Sequence, residues 1–189
     1  MIAGCSQSEP GTASPTASGS TTADSVVPAV DVPLDAAAYL NEPCRLVEQE
    51  FMHSIGYNEA GQAATEENNS TAALSGPGCD WDQSEGIAGL GFTIQTGNQT
   101  NGLGGLEGNY DAHIRGQYSF WEPTTVDQYP AAFSDLTDAR AEGRCRIVVG
   151  IADDLSFAVT ADGYDEPTRA CEDVEAVAGE IIQTLKRGS

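Results

Sequence analysis

The residues best placed to do chemistry stand at the start of the chain. Ile2-Ala3-Gly4-Cys5 puts an apolar residue and two small residues ahead of a cysteine, the spacing of a bacterial lipobox. Small residues let a signal peptidase close on the extended backbone, and the Cys5 thiol then takes a diacylglyceryl group. The charged and apolar parts of a signal peptide do not precede it here, so a truncated start, or a true start further upstream, is expected. Four more cysteines, Cys44, Cys79, Cys145 and Cys171, form an even set in a domain read as exported, which predicts two disulfides. No pair has Cys-x-x-Cys spacing, which argues against a zinc ribbon or a thioredoxin-type redox site.

Other chemical patterns stop short of a site. The two histidines, His53 and His113, read as surface residues rather than as bases or ligands. Around Ser84 a nucleophile elbow would need glycine where Asp82 stands. No His-Glu-x-x-His is present, and Gly102-Leu103-Gly104-Gly105 lacks the Lys-Ser/Thr ending of a phosphate loop. Glu107 occupies the last glycine position of a dinucleotide fingerprint. Asp153-Asp154 reads as a solvated turn. Asp162, Asp165 and Glu166 near Gly163 lack full calcium-loop spacing, and helix capping accounts for the last two. No catalytic residue, metal or cofactor is therefore assigned. What remains is aromatic. Tyr110, Tyr118, Phe120 and Trp121 are the candidate ligand-binding residues, because aromatics dominate small-ligand sites. Tyr118, Phe120 and Trp121 cannot all face one side of a strand, so one of them is expected to face outward or into a cleft. Trp81, beside a predicted disulfide, reads as core.

Composition sets the surroundings of these residues. Twenty-nine acidic residues against 8 basic give a formal charge of −21, the wrong sign for displacing counterions from nucleic acid. The same sign opposes adhesion to an anionic membrane surface. Lys186 is the only lysine, a bias that fits a GC-rich genome. No apolar run approaches the roughly 18 residues of a spanning helix, so attachment would rest on acyl chains. The stretch behind Cys5 is rich in Ser, Thr, Pro, Ala and Gly and cannot build a core. Residues 1–33 are read as lipobox and tether, and residues 34–189 as one domain.

The elements that must position these groups follow from periodicity. A helix is predicted over about Pro43 to Ile55, capped by Asn41, with Cys44, Val47, Phe51 and Ile55 on one face. Residues 58–77 read as a loop. Cys79-Asp80-Trp81 is a short strand, Ser84-Glu85-Gly86 a turn, and Leu90, Phe92 and Ile94 alternate as in a half-buried strand. A frayed helix over roughly 103–115 would present Leu103, Leu106, Tyr110 and Ile114. Extended stretches follow on either side of Tyr129-Pro130. Cys145 to Val149 and Leu155 to Val159 form a hairpin. The last helix opens at Pro167, with Cys171, Val174, Ala178, Ile181 and Leu185 on one face. Short connections require antiparallel pairing. The expected fold is α+β: an antiparallel sheet of about five to six strands with helices packed mainly on one face. Four cysteines allow three pairings. Pinning each helix to its sequence-nearest strand selects Cys44–Cys79 and Cys145–Cys171.

Pro43-Cys44, Cys79-Asp80-Trp81, Tyr129-Pro130-Ala131, Cys145 to Val149, and Cys171 with Val177-Ala178 and Leu185 follow one another behind a lipobox and a Ser/Thr/Pro tether. This series resembles the DUF3558 family of actinobacterial lipoproteins of unknown function. That pattern often has a glycine just before Tyr-Pro-Ala, where this chain has Gln128. The resemblance implies an exported, lipid-anchored α+β domain and brings no catalytic residues with it. The reading reached from the residues is a monomeric, non-enzymatic cell-envelope lipoprotein that binds an envelope ligand or protein partner. It would be held to the extracytoplasmic membrane face through Cys5. The alternatives are a cell-wall hydrolase using an acidic pair, and a structural or signalling accessory acting through one interface.

Overall fold

A computed structural model describes residues 1, 27–82 and 88–188; Cys5 and the Ser84-Glu85-Gly86 turn lie outside them. Helices α1 (Gln49–Ser54), α2 (Ala72–Ser75), α3 (Thr96–Thr100), α4 (Leu106–Ile114) and α5 (Pro167–Gly188) accompany seven strands. These are β1 (Gln62–Ala64), β2 (Gly78–Asp82), β3 (Gly89–Ile94), β4 (Phe120–Val126), β5 (Tyr129–Asp135), β6 (Cys145–Gly150) and β7 (Ser156–Asp162). They form one antiparallel sheet in the order β1-β2-β3-β7-β6-β5-β4, slightly larger than the five to six strands expected. No helix of the described residues is long and apolar enough to cross a membrane.

Alternation decides which face is core. Leu90, Phe92 and Ile94 of β3 meet Ala161, Val159 and Phe157 of β7, and Val159 and Phe157 meet Ile147 and Val149 of β6. All are buried, and α5 closes over them with Val174, Val177, Ala178, Ile181, Ile182 and Leu185. Cys44–Cys79 ties the 3-10 turn at Pro43–Leu46 to β2, and Cys145–Cys171 ties the start of β6 to α5, with Cα separations of 5.0 and 5.1 Å. Both pairings are those derived from element order. A buried polar chain also holds α5: Tyr57 donates its hydroxyl to Tyr164 at 2.5 Å, and Tyr164 donates to Asp173 at 2.9 Å. The domain takes up the chain from Val27, within the span read as tether. Val27 and Val30 are buried, the Val30 amide donates to Asp153 Oδ1, and the Leu34 amide donates to the Ile151 carbonyl.

Four local expectations need correction. The helix expected over Pro43 to Ile55 is a 3-10 turn and α1, separated by extended backbone at Val47 and Glu48. In one continuous helix Leu46, Val47 and Met52 would point three ways; the break lets all three reach the core. Residues 58–77 contain β1, made by backbone pairing to β2, and α2, whose first turn is held by Asn69 Oδ1 accepting from the Thr71 and Ala72 amides. α4 turns its Leu106–Asn109 side inward and leaves Leu103, ahead of it, and Ile114, at its end, exposed. Asn109 sets that rotation, donating to Gln95, Gly105 and Ser156. Finally, Tyr129-Pro130, expected between two extended stretches, is itself the start of β5. Val126 pairs with Tyr129, so the turn is Asp127-Gln128, with φ of 49° and 75°. Pro130, which has no amide hydrogen, sits just before the β5–β6 ladder begins at Ala131.

Candidate functional site

The sheet has a second face, and helices cover only part of it. α4 packs on Val148 and Ala158 there through Leu106 and Tyr110. Beside it, across β2, β3, β7 and β6, lies an open trough of about 760 Å³. The alternation that sends Cys79 and Trp81 into the core sends Asp80 and Asp82 into this trough. The same rule brings Gly91 and Thr93 of β3, Thr160 of β7 and Arg146 of β6 to its floor and walls. Register then aligns four of them. Asp80 pairs with Gly91, Gly91 with Thr160, and Thr160 with Arg146, one row crossing four strands.

The two ends of this row carry opposite charge. At the β2 end, Asp80 lies over Gly91: a Cβ on Gly91 would sit 2.2 Å from Asp80 Oδ1. Glycine is thus required for the carboxylate to lie against the floor. Desolvation there, and secondarily the charge of Asp82, raise the Asp80 carboxyl above its ordinary value. At the β6 end, Arg146 is partly buried. Its Nη1 donates to the Ser134 carbonyl at 2.9 Å, and its guanidinium lies 5.2 Å from the centre of the Tyr118 ring. Desolvation pushes its pKa down; the field of Tyr118 and Asp135 opposes this and that of Arg144 adds to it. Arg144 takes both nearby acids, Asp135 at 2.7 Å and Asp162 at 3.0 Å. Among the described residues, Asp80, Asp82 and Arg146 make no ion pair, and the Thr93 and Thr160 hydroxyls make no hydrogen bond. Ser134 Oγ, fully buried on the residue whose carbonyl holds Arg146, has no hydrogen-bond partner.

The four aromatics expected to bind ligand do not form one site. Tyr118 walls the trough. Phe120 and Trp121 take opposite faces, as adjacent strand residues must. Phe120 packs on the α5 side, with Arg140 4.4 Å above its ring. Trp121 joins Tyr110 and His113 under α4, with ring centres at 5.4 and 5.9 Å. His113, expected to be a plain surface residue, stacks there, and its Nδ1–H donates to the Tyr118 carbonyl at 2.8 Å, fixing the start of β4. Cys44, Cys79, Cys145 and Cys171 are consumed in the two bridges. Sequence reasoning missed Asp80, Gly91, Arg146 and Thr160. The available signal was charge within otherwise apolar strands: Asp80 between Cys79 and Trp81, and Arg146 between Cys145 and Ile147.

A family model described as a protein of unknown function, DUF3558, matches residues 1–184. No curated protein and no solved structure matches the chain.

Proposed function

We propose a binding role for this chain, which belongs to the DUF3558 family: it is the folded head of a lipid-anchored envelope lipoprotein that holds a ligand in the trough without transforming it. The observation that carries this reading is the row Asp80, Gly91, Thr160, Arg146, in which unpaired charges at two ends flank a small-residue floor. Small floor residues leave volume, and unpaired charged groups with free hydroxyls leave hydrogen-bonding capacity for a guest.

Cysteine usage supports the location. Two disulfides take four of the five cysteines and leave Cys5 for acylation. Such bridges persist in oxidising compartments outside the cytoplasm. The test is a two-dimensional amide NMR titration of the protein against a panel of small envelope compounds. Binding should shift Gly91, Thr93, Thr160 and Arg146, and Thr160→Trp, which fills the floor, should abolish those shifts while the rest of the spectrum persists. Shifts confined to other surfaces, or unchanged binding in Thr160→Trp, would refute the trough as the site.

A further inference from the structure

The polarity of the row identifies a ligand class. We propose that the trough takes a zwitterionic, peptide-like ligand, its carboxylate on Arg146 and its ammonium group between Asp80 and Asp82. This rests on the trough being the binding site.

Arg146 is a desolvated cation, and Asp135, the acid whose field reaches it, is ion-paired to Arg144. A guanidinium has five N–H donors, and one is used on the Ser134 carbonyl. Tyr118 lies over the group at 5.2 Å, and the remaining N–H donors are unused among the described residues. A carboxylate meets a guanidinium with two parallel hydrogen bonds. At the other end Asp80 and Asp82 share one strand face, and their mutual repulsion is part of what raises Asp80. A cation between them removes that repulsion.

Spacing fits a short chain. Arg146 and Asp80 are three inter-strand steps apart, about 14 Å between backbones. An extended tetrapeptide spans at most about 14 Å. The floor strands β3 and β7 are paired on both sides, so a ligand cannot join the sheet as another strand. It must be held by side chains: charges at its ends, and the Thr93 and Thr160 hydroxyls along its length.

The test is calorimetric titration of the full disulfide-bonded chain with tetraalanine, N-acetyl-tetraalanine, tetraalanine amide and the doubly blocked peptide. Tetraalanine should bind, and blocking either end should weaken it by about tenfold or more. In Arg146→Gln, tetraalanine and its amide should bind alike, while acetylation still weakens binding. In Asp80→Asn/Asp82→Asn the pattern should reverse. Near-UV circular dichroism and the melting temperature check each variant's fold, and Arg146→Lys, which keeps the charge but loses the planar fork, should recover part of the carboxylate dependence. Equal binding of all four peptides, or no binding of tetraalanine, overturns the zwitterion assignment. If tetraalanine fails while another compound still shifts the trough amides, the assignment falls and the trough remains a site. If no compound shifts them, the broader reading falls as well.

Discussion

Reducing the two disulfides should nearly unfold the domain, and the size of the loss can be worked from chain positions. Cys145–Cys171 closes 26 residues and Cys44–Cys79 closes 35. In the chain-entropy treatment these loops contribute about 3.5 and about 3.8 kcal/mol by restricting the unfolded chain. They do not overlap in sequence, so the contributions should add to about 7 kcal/mol. A domain of this size has only about 5–15 kcal/mol in total. Each single loss should lower the melting temperature by roughly 7–15 °C. The assay is urea and thermal unfolding of Cys44→Ala/Cys79→Ala, of Cys145→Ala/Cys171→Ala, and of the wild type with and without reductant. Additivity matters as much as size. Cys145–Cys171 joins the interior strand β6 to α5, so its loss should loosen the main core. Cys44–Cys79 fastens the 3-10 turn at Pro43–Leu46, so its loss should loosen one corner. If both double variants lose under about 1 kcal/mol, the bridges do not restrict the unfolded chain as argued. A combined loss far from the sum would show that the two ends of the domain are coupled.

Three further outcomes are expected. Expressed behind a complete signal peptide, the protein should partition into detergent, and Cys5→Ala should release it to the medium; equal partitioning of both would refute the anchor. Gln128→Gly should raise the urea midpoint by an amount equal to about 0.5–1 kcal/mol, because the turn holds a non-glycine residue at φ 75°; an unchanged or lower midpoint would mean the Gln128 side chain contributes more than the backbone strain. Asp80→Asn should stabilise the domain at pH 7 and give little gain near pH 3. The folded carboxyl ionises above its ordinary 3.8, so ionisation weakens the fold as pH rises through the raised value, and below 3.8 both states are protonated. A gain that is constant with pH would point to a cause other than ionisation.

What could be read from the chain depended on whether a signal was local. α5 and the β6–β7 hairpin were legible because Val174, Ala178, Ile181 and Leu185 keep helical spacing and Leu155, Phe157 and Val159 keep strand spacing. The disulfide pairing followed from their order. The break after Leu46 was not legible, since it exists to carry Leu46, Val47 and Met52 into a core that only the folded sheet defines. The rotation of α4 was hidden for the same reason: Asn109 faces inward because Ser156 and Gln95 await it. β1 has no apolar alternation and is a strand only by pairing to Cys79 and its neighbours.

The trough was the least legible feature, and the reason is topological. β3 and β7 are neighbours in the sheet but distant in sequence, so nothing local states that Gly91 will lie beside Thr160 or Asp80 in line with Arg146. Each residue alone has a stability cost. Glycine within a strand loses about 0.5–1 kcal/mol relative to alanine, and a desolvated guanidinium without a counter-charge is unfavourable. A sheet face that had only to stay soluble would carry large, hydrated side chains at these positions. Here the open face holds Gly91 and Thr160 between unpaired ions, aligned by register, with Thr93 beside them, while the opposite face of the same strands is packed with apolar side chains. Local choices that weaken a fold and converge on one cavity mark a functional site. The alternation that builds the core on one side of β2, β3, β7 and β6 also builds, on the other, the trough proposed above to hold a ligand.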